Sequence, residues 1–236
     1  MANVHGKDTV VLLGDTDVSA YLNAASVSAS VETADTTAYA DEDRTYIAGL
    51  LTAAASLGGH FDGTSGASDE ELQASLKTAT LLSVGYGGST TGNVWKGLQI
   101  LSSDYSISAP VGDVVAVSYA ASANEGGLSN GFSFHTLDAE TSAGEETRLD
   151  QAAATAGGCV AFLHVTAFSG TDITIVLEDS ANDASWANLL SFTQVTGKTS
   201  ERIAVAAAAS TPDRYVKCSW TGTFSSVTFF VGMARL

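Results

Sequence analysis

A chain of 236 residues with 45% apolar side chains is long enough for one large β-domain or two small ones, and too apolar for wholesale disorder. Its 26 acidic and 10 basic residues give a formal net charge of −16, which excludes a protein that grips nucleic-acid phosphates, because that grip comes from Lys and Arg displacing counterions. There is no run of about 18 apolar residues to cross a membrane and no basic-then-apolar start to act as a signal peptide, so a chain made and folded in the cytosol, unless exported by lysis, is expected.

The elements follow in chain order. Thr9–Leu13 (TVVLL) reads as a short apolar strand ended by Gly14-Asp15, and DVSAYLN at 17–23 as a compact turn. Ser26–Glu32 alternates, with Val27, Ala29 and Val31 expected inward. Residues 33–44 (TADTTAYADEDR) form a polar, acidic arm, long for a hairpin connection. The next stretch, 46–63, alternates from Leu51 onward. Leu51, Ala53, Ala55, Leu57 and Phe61 are expected on one face, and Thr52, Ala54, Ser56, Gly58 and His60 on the other, with a bend at the Gly-Gly pair.

One helix is predicted, over about 69–80, started by a capping box of Ser68 and Glu71 and packed through Leu72, Leu76 and Ala79. Strands resume at Leu81–Tyr86. Val94–Ser108 changes phase and implies a bulge near Ser102. Val111–Ser122 alternates, and Phe132 and Phe134 mark a closing strand. Residues 138–158 lack apolar periodicity and read as a linker. Six short strands are then expected, near 160–168, 173–178, 189–193, 202–205, 214–220 and 227–233, which suggests a second β-sandwich or jelly roll. Cys159 and Cys218 are expected as buried free thiols rather than a disulfide, in keeping with a reducing compartment.

The charge is uneven. Residues 1–140 hold 17 acidic against four basic side chains, and 141–236 hold nine against six. With the linker, this divides the chain into a body (1–140), a linker (141–158) and an appended β-domain (159–236).

The search for chemistry leaves no catalytic constellation. Gly127–Gly131 matches GxSxG around Ser129, but the following FSFHTL alternates like a strand where a nucleophile elbow needs a helix. Gly197-Lys198-Thr199 lacks the leading glycine of a phosphate loop, since position 192 is Phe192. Asp41-Glu42-Asp43 opens like a calcium loop but no glycine follows at the required place. His5, His60, His135 and His164 are scattered, with no Cys or His at metal-ligand spacing, so no metal, cofactor or enzymatic activity is expected. Trp186 and Trp220 are the candidates for a carbohydrate-stacking surface, against the commoner use of such residues in packing.

Four segments carry a resemblance. DVSAYLN at 17–23 followed by AASVSAS, ADTT at 34–37 with Tyr39, TYIAGL at 45–50 followed by SLGGHFDGT, and APVGDV at 109–114 followed by VAVSYAASANEG resemble, in order and spacing, the conserved pattern of siphophage major tail (tail tube) proteins. Ala40 stands where a glycine is usual. The resemblance covers residues 1–140 only. It implies a tail-tube-type β-sandwich or barrel with one flanking helix, and a subunit that forms hexameric rings stacked into the hollow tube of a virion. Its implied partners are further copies of the chain, the tape measure, tail terminator and distal tail proteins, and DNA passing the lumen without sticking. It places Asp35, Tyr39, Asp41, Glu42, Asp43 and Arg44 in a loop that reaches the next ring, and leaves 159–236 on the outside. The alternative is a carbohydrate- or cell-surface-binding β-sandwich using Trp186 and Trp220.

Overall fold

The fold is that of a computed structural model, which describes residues 4–236. The strands are β1 (Thr9–Leu13), β2 (Thr16–Asp17), β3 (Leu22–Asp35), β4 (Tyr46–His60), β5 (Ala79–Tyr86), β6 (Val94–Ser108), β7 (Ala116–Glu140), β8 (Gly144–Glu145), β9 (Leu149–Asp150), β10 (Cys159–Ser180), β11 (Ala187–Ser191), β12 (Thr199–Val205) and β13 (Tyr215–Arg235), with helix α1 (Ser68–Ala74) between β4 and β5. The protein is mainly β, with extensive antiparallel sheet and a single α-helix among the described residues, as expected.

The chain groups into two compact units whose boundaries differ from the division at 140. One comprises the chain up to Tyr21 together with 80–97 and 129–236; the other comprises 22–79 and 98–128. The expected linker is not one: Gly144 and Glu145 pair with Trp220 and Ser219, Leu149 and Asp150 pair with Val216 and Tyr215, and Arg214 donates to both Asp150 carboxylate oxygens at 2.8 and 2.6 Å. Backbone pairing along a solvated edge needs no apolar alternation, so these strands left no periodic signal.

In the first unit the strand order is β11-β10-β13-β7-β6-β5-β1-β2, with β12 also on β10. Four of the expected short strands are two long ones. β10 and β13 pair antiparallel from Cys159↔Arg235 to Ser180↔Tyr215, with register shifts around Gly170. A Cβ on Gly170 would lie 2.5 Å from Phe224 Cα, and one on Gly222 2.4 Å from the Asp172 carbonyl oxygen. The two glycines let the backbones close in and bend without breaking the ladder. Where Cys159–Val165 of β10 lies against Phe229–Arg235 of β13, both faces of β10 are buried, as are both faces of β13 from Phe229 to Ala234. Leu163, Val165, Phe229 and Val231 join one cluster with Phe134, Ile175, Leu177 and Trp220. Phe162 and Phe230 join another with Leu12, Leu81 and Trp95. Residues 159–236 are thus the larger part of this unit's core and not an appendage to it. Cys159 and Cys218 are buried free thiols, and burial pushes Cys159 up to about 11.

His164 is buried within this unit, with Nδ1 donating to the Gly14 carbonyl at 2.6 Å and Nε2 accepting from the Ser83 hydroxyl at 2.7 Å. Burial, opposed by the Gly14 bond and by Asp15, lowers its pKa to about 4, so the ring stays neutral. Unfolded chains protonate this histidine near 6.5 while the fold does not until about 4, so its contribution is complete above pH 6.5 and is lost as pH falls toward 4. The loss amounts to about 3 kcal/mol in all, some two-thirds of it by about pH 5. Urea melts across this window are expected to show that slope, and to show it flattened in His164→Asn; equal slopes in the two proteins count against it.

The second unit is built on the β3–β4 hairpin, paired from Leu22↔Gly59 to Asp35↔Tyr46, and on β4–β7 pairing from Ala54↔Ser122 to His60↔Ala116. Ala53, Ala55 and Leu57 point inward as the alternation predicts, beside buried Leu72, Leu98, Ile100, Val117, Tyr119 and Ala121. The apolar face expected on β3 is covered only in part: Val27 is half-buried, whereas Ala29 is exposed and Val31 is 47% exposed. Leu51 and Phe61 are also exposed, because the core of this unit stops short of both ends of β4.

Helix α1 is shorter than predicted and starts differently. Ala67 is its N-cap, and Ser68 Oγ instead donates to the His60 carbonyl at 2.9 Å and accepts from Asp62 N–H at 3.0 Å, tying the helix to the strand before it. The chain leaves the helix where Ser75 Oγ bonds the Leu72 carbonyl and the Tyr119 hydroxyl and Lys77 adopts φ 66°, and Ala79 already belongs to β5. In β6, Trp95, Gly97, Leu98 and Ile100 are all buried, so the phase changes at Gly97-Leu98 as well as after Ser102, where Ser102 and Tyr105 are the half-buried positions.

Candidate functional site

The β3–β4 hairpin is longer than the sheet that supports it. Only Ala54–His60 of β4 pair with β7; residues 46–53 pair with β3 alone. Among the described residues β3 pairs with no strand other than β4, so its whole outer edge is open. What remains is a two-stranded ribbon, a form that is marginally stable by itself in water.

Both faces of that ribbon carry bare apolar groups. Leu50 is 74% exposed, Ile47 59%, Leu51 57% and Tyr46 52%. Across the ladder Leu51 faces Val31, Ile47 faces Ala34 and Tyr46 faces Asp35. A bulge sets Gly49 and Leu50 against Glu32, and a Cβ on Gly49 would come within 3.2 Å of Glu32 Cβ. An open groove of about 350 Å³ beside the ribbon is lined by Ser28, Ser30, Leu51, Thr52 and residues 122–127.

The six loop residues singled out in the sequence all lie at or next to the ribbon's tip. Thr36 N–H donates to the Thr45 carbonyl at 2.9 Å and closes the loop. Asp35 accepts from the Thr37 hydroxyl at 2.5 Å and the Thr37 N–H at 2.9 Å, which holds its carboxyl below the usual range. Asp41 accepts from Ala38 N–H at 2.7 Å, and Arg44 donates to the Tyr46 hydroxyl at 3.4 Å. Tyr39 is fully exposed, and Glu42 and Asp43 are exposed beside it. The loop is therefore shaped by its own short-range bonds while its aromatic and acidic groups face outward.

Sequence reading missed the apolar part of the ribbon. The signal was present in YIAGLL, apolar at consecutive positions where a one-sided strand would alternate. It also missed the β6–β7 connection, where Val111 is fully exposed and Val114 is 59% exposed.

The other candidates separate clearly. Trp220 is buried, its Nε1 donating to the Ser142 carbonyl at 2.9 Å and its ring edge-on to His135 and Phe229; it offers no stacking surface, because the core takes it. Trp186 is half-buried under the Lys217 ammonium, 4.6 Å from its ring centre. Ser129 is buried within β7, on continuous strand and not at an elbow. Asp41, Glu42 and Asp43 form no calcium loop, Asp41 being used to cap Ala38.

No family model matches the chain, and no curated protein matches it. Solved structures with a similar fold include the following three. A chain from the virion of a native gene transfer agent particle is 19% identical, over 54% of this chain and 98% of that one, at a TM-score of 0.43. A chain from the tail of an empty gene transfer agent particle, computed with helical refinement and C6 symmetry, is 18% identical, over 54% and 98%, at 0.41. The SPP1 Dit (gp 19.1) protein, described as a hub of the adsorption apparatus in phages infecting Gram-positive hosts, is 11% identical, over 95% and 98%, at 0.36. All three TM-scores are below one half, and such likeness decides nothing by itself.

Proposed function

We propose that this chain is a structural subunit of a phage tail, and within that class a tail tube subunit that polymerises as stacked hexameric rings. The observation that carries the reading is the β3–β4 ribbon: an open strand edge and apolar groups bare on both faces are what a subunit keeps for its neighbours. The four-segment resemblance to tail tube proteins supports it, since two of those segments, ADTT with Tyr39 and TYIAGL, are the two sides of the ribbon tip. In the assembled tube the ribbon adds to the sheet or surface of the next copy, and its tip, with Asp35, Tyr39, Asp41, Glu42, Asp43 and Arg44, reaches the next ring.

The charge supports the conduit. The 22–79 and 98–128 unit holds 12 acidic and two basic residues, most of the chain's −16. Acidic groups along a lumen keep a duplex off the wall through repulsion with a range of about 8 Å at physiological ionic strength. Tape measure, terminator and distal tail proteins are the further partners of such a subunit.

Electron microscopy of the concentrated, purified chain tests the proposal. Six-fold rings and hollow tubes are the expected result. Monomers alone, in micrographs and in sedimentation at the same concentration, would overturn it.

A further inference from the structure

We propose that His135, Asp138 and Glu140 form a binding site for a divalent transition metal of the zinc class. One imidazole nitrogen and one oxygen of each carboxylate lie within 4.8 Å of one another, all on β7.

The strand geometry makes the cluster. In a regular strand residues three apart point to opposite faces, which would separate His135 from Asp138 and Glu140. Here Val231 faces His135 and Phe229 faces Asp138, so three steps on β7 oppose two on β13. This bulge restores the phase and brings all three side chains together, the kind of re-aiming bulges perform.

The hydrogen-bond inventory points to a cation. His135 is fully buried, and its Nδ1 lies 3.1 Å from the Phe229 carbonyl oxygen. A carbonyl only accepts, so Nδ1 carries the hydrogen and Nε2 presents a lone pair. Nε2 is buried with no hydrogen-bond partner, and the nearest charged group is the Glu140 carboxylate at 3.6 Å. Carboxylates also offer only lone pairs, so three acceptors converge with no hydrogen between them. A bound cation satisfies all three. The contrast is His164, where both ring nitrogens have protein partners.

The surroundings are those of a ligating histidine. The Phe229 carbonyl fixes tautomer and ring orientation, as the outer partner of a metal-bound imidazole does. The ring is stacked on Phe229 at 3.7 Å and held edge-on by Trp220 at 4.7 Å. Asp138 is exposed and Glu140 half-buried, so the metal has an entry side and room for water as further ligands. One nitrogen with two carboxylate oxygens suits Zn²⁺ and its spectroscopic substitute Co²⁺.

The test titrates cobalt chloride into the full chain after chelator treatment. Expected are one equivalent bound, visible d–d absorption bands, and a melting temperature raised by roughly 5–10 °C at about 100-fold excess over Kd. The double variant Asp138→Asn with Glu140→Gln, changed only at surface-reaching side chains, should fold as the parent without metal and bind about 100-fold more weakly. His135→Asn should abolish the bands; should it fail to fold, the double variant decides. No saturable uptake below about 1 mM cobalt, or uptake unchanged in the double variant and so carried by groups such as His5 and His60, overturns the proposal.

Discussion

Replacing residues 36–45 by a two-residue Asn-Gly turn is expected to abolish tube formation while leaving a folded monomer. The loop's own bonds run from Thr36 to Thr45 and from Asp35 to Thr37, so cutting it at the Asp35–Tyr46 pair removes a closed piece and exposes no core. A two-residue turn with positive φ at both positions matches the twist of the strands it joins. The buried residues nearest in sequence, Ala53, Ala55 and Leu57, are untouched. What is lost is Tyr39, fully exposed, with the acidic groups around it. Circular dichroism and melting should match the parent, and micrographs at concentrations where the parent polymerises should show no tubes. A milder change, Leu50→Lys with Ile47→Lys, puts two charges on the bare faces of the ribbon and should have the same effect, because each buried lysine in a contact must be desolvated without a partner. Normal tubes from both variants would remove the ribbon from assembly.

A large loss of stability is expected from Gly232→Ala. A Cβ there would sit 2.6 Å from Trp95 Cδ2, inside contact distance, and Trp95 is fully buried. The indole has no room to retreat, since it is edge-on to Phe162 at 5.0 Å and its far rim already covers Gly97, where a Cβ would lie 2.1 Å from Cζ2. Overpacking of this kind costs about 3 kcal/mol. The sign of the coupling is a sharper test than the size. Trp95→Leu alone should destabilise by leaving a cavity, but in that background Gly232→Ala should cost about 1 kcal/mol or less, because the new methyl enters vacated space. Urea melts of the four proteins measure it. Additive losses would show that the indole and Gly232 do not meet.

Much of the architecture was legible in local pattern. Thr9–Leu13 and Val94–Ser108 are strands with the bounds that their composition implies, and Ala53, Ala55 and Leu57 are buried as the alternation requires. The burial of Ala53, Ala55 and Leu57 follows from a period of two, which depends only on neighbours along the chain, and Thr9–Leu13 from a short apolar run closed by Gly14-Asp15. The loop Thr36–Thr45 was legible as well, since its polar residues bond within a few positions of one another. Three things were decided elsewhere. Residues 144–150 are paired strand because β13, some 70 positions away, offers an edge to them, and an edge asks nothing of side-chain pattern. β10 and β13 run on through Gly170 and Gly222 because these glycines, set opposite Phe224 and Ile173, let the ladder bend without ending it. His135 meets Asp138 and Glu140 because of a register shift against Phe229 and Val231. Spacing along β7 places that histidine on the wrong face, and a bulge, which depends on pairing with a distant strand, turns it round.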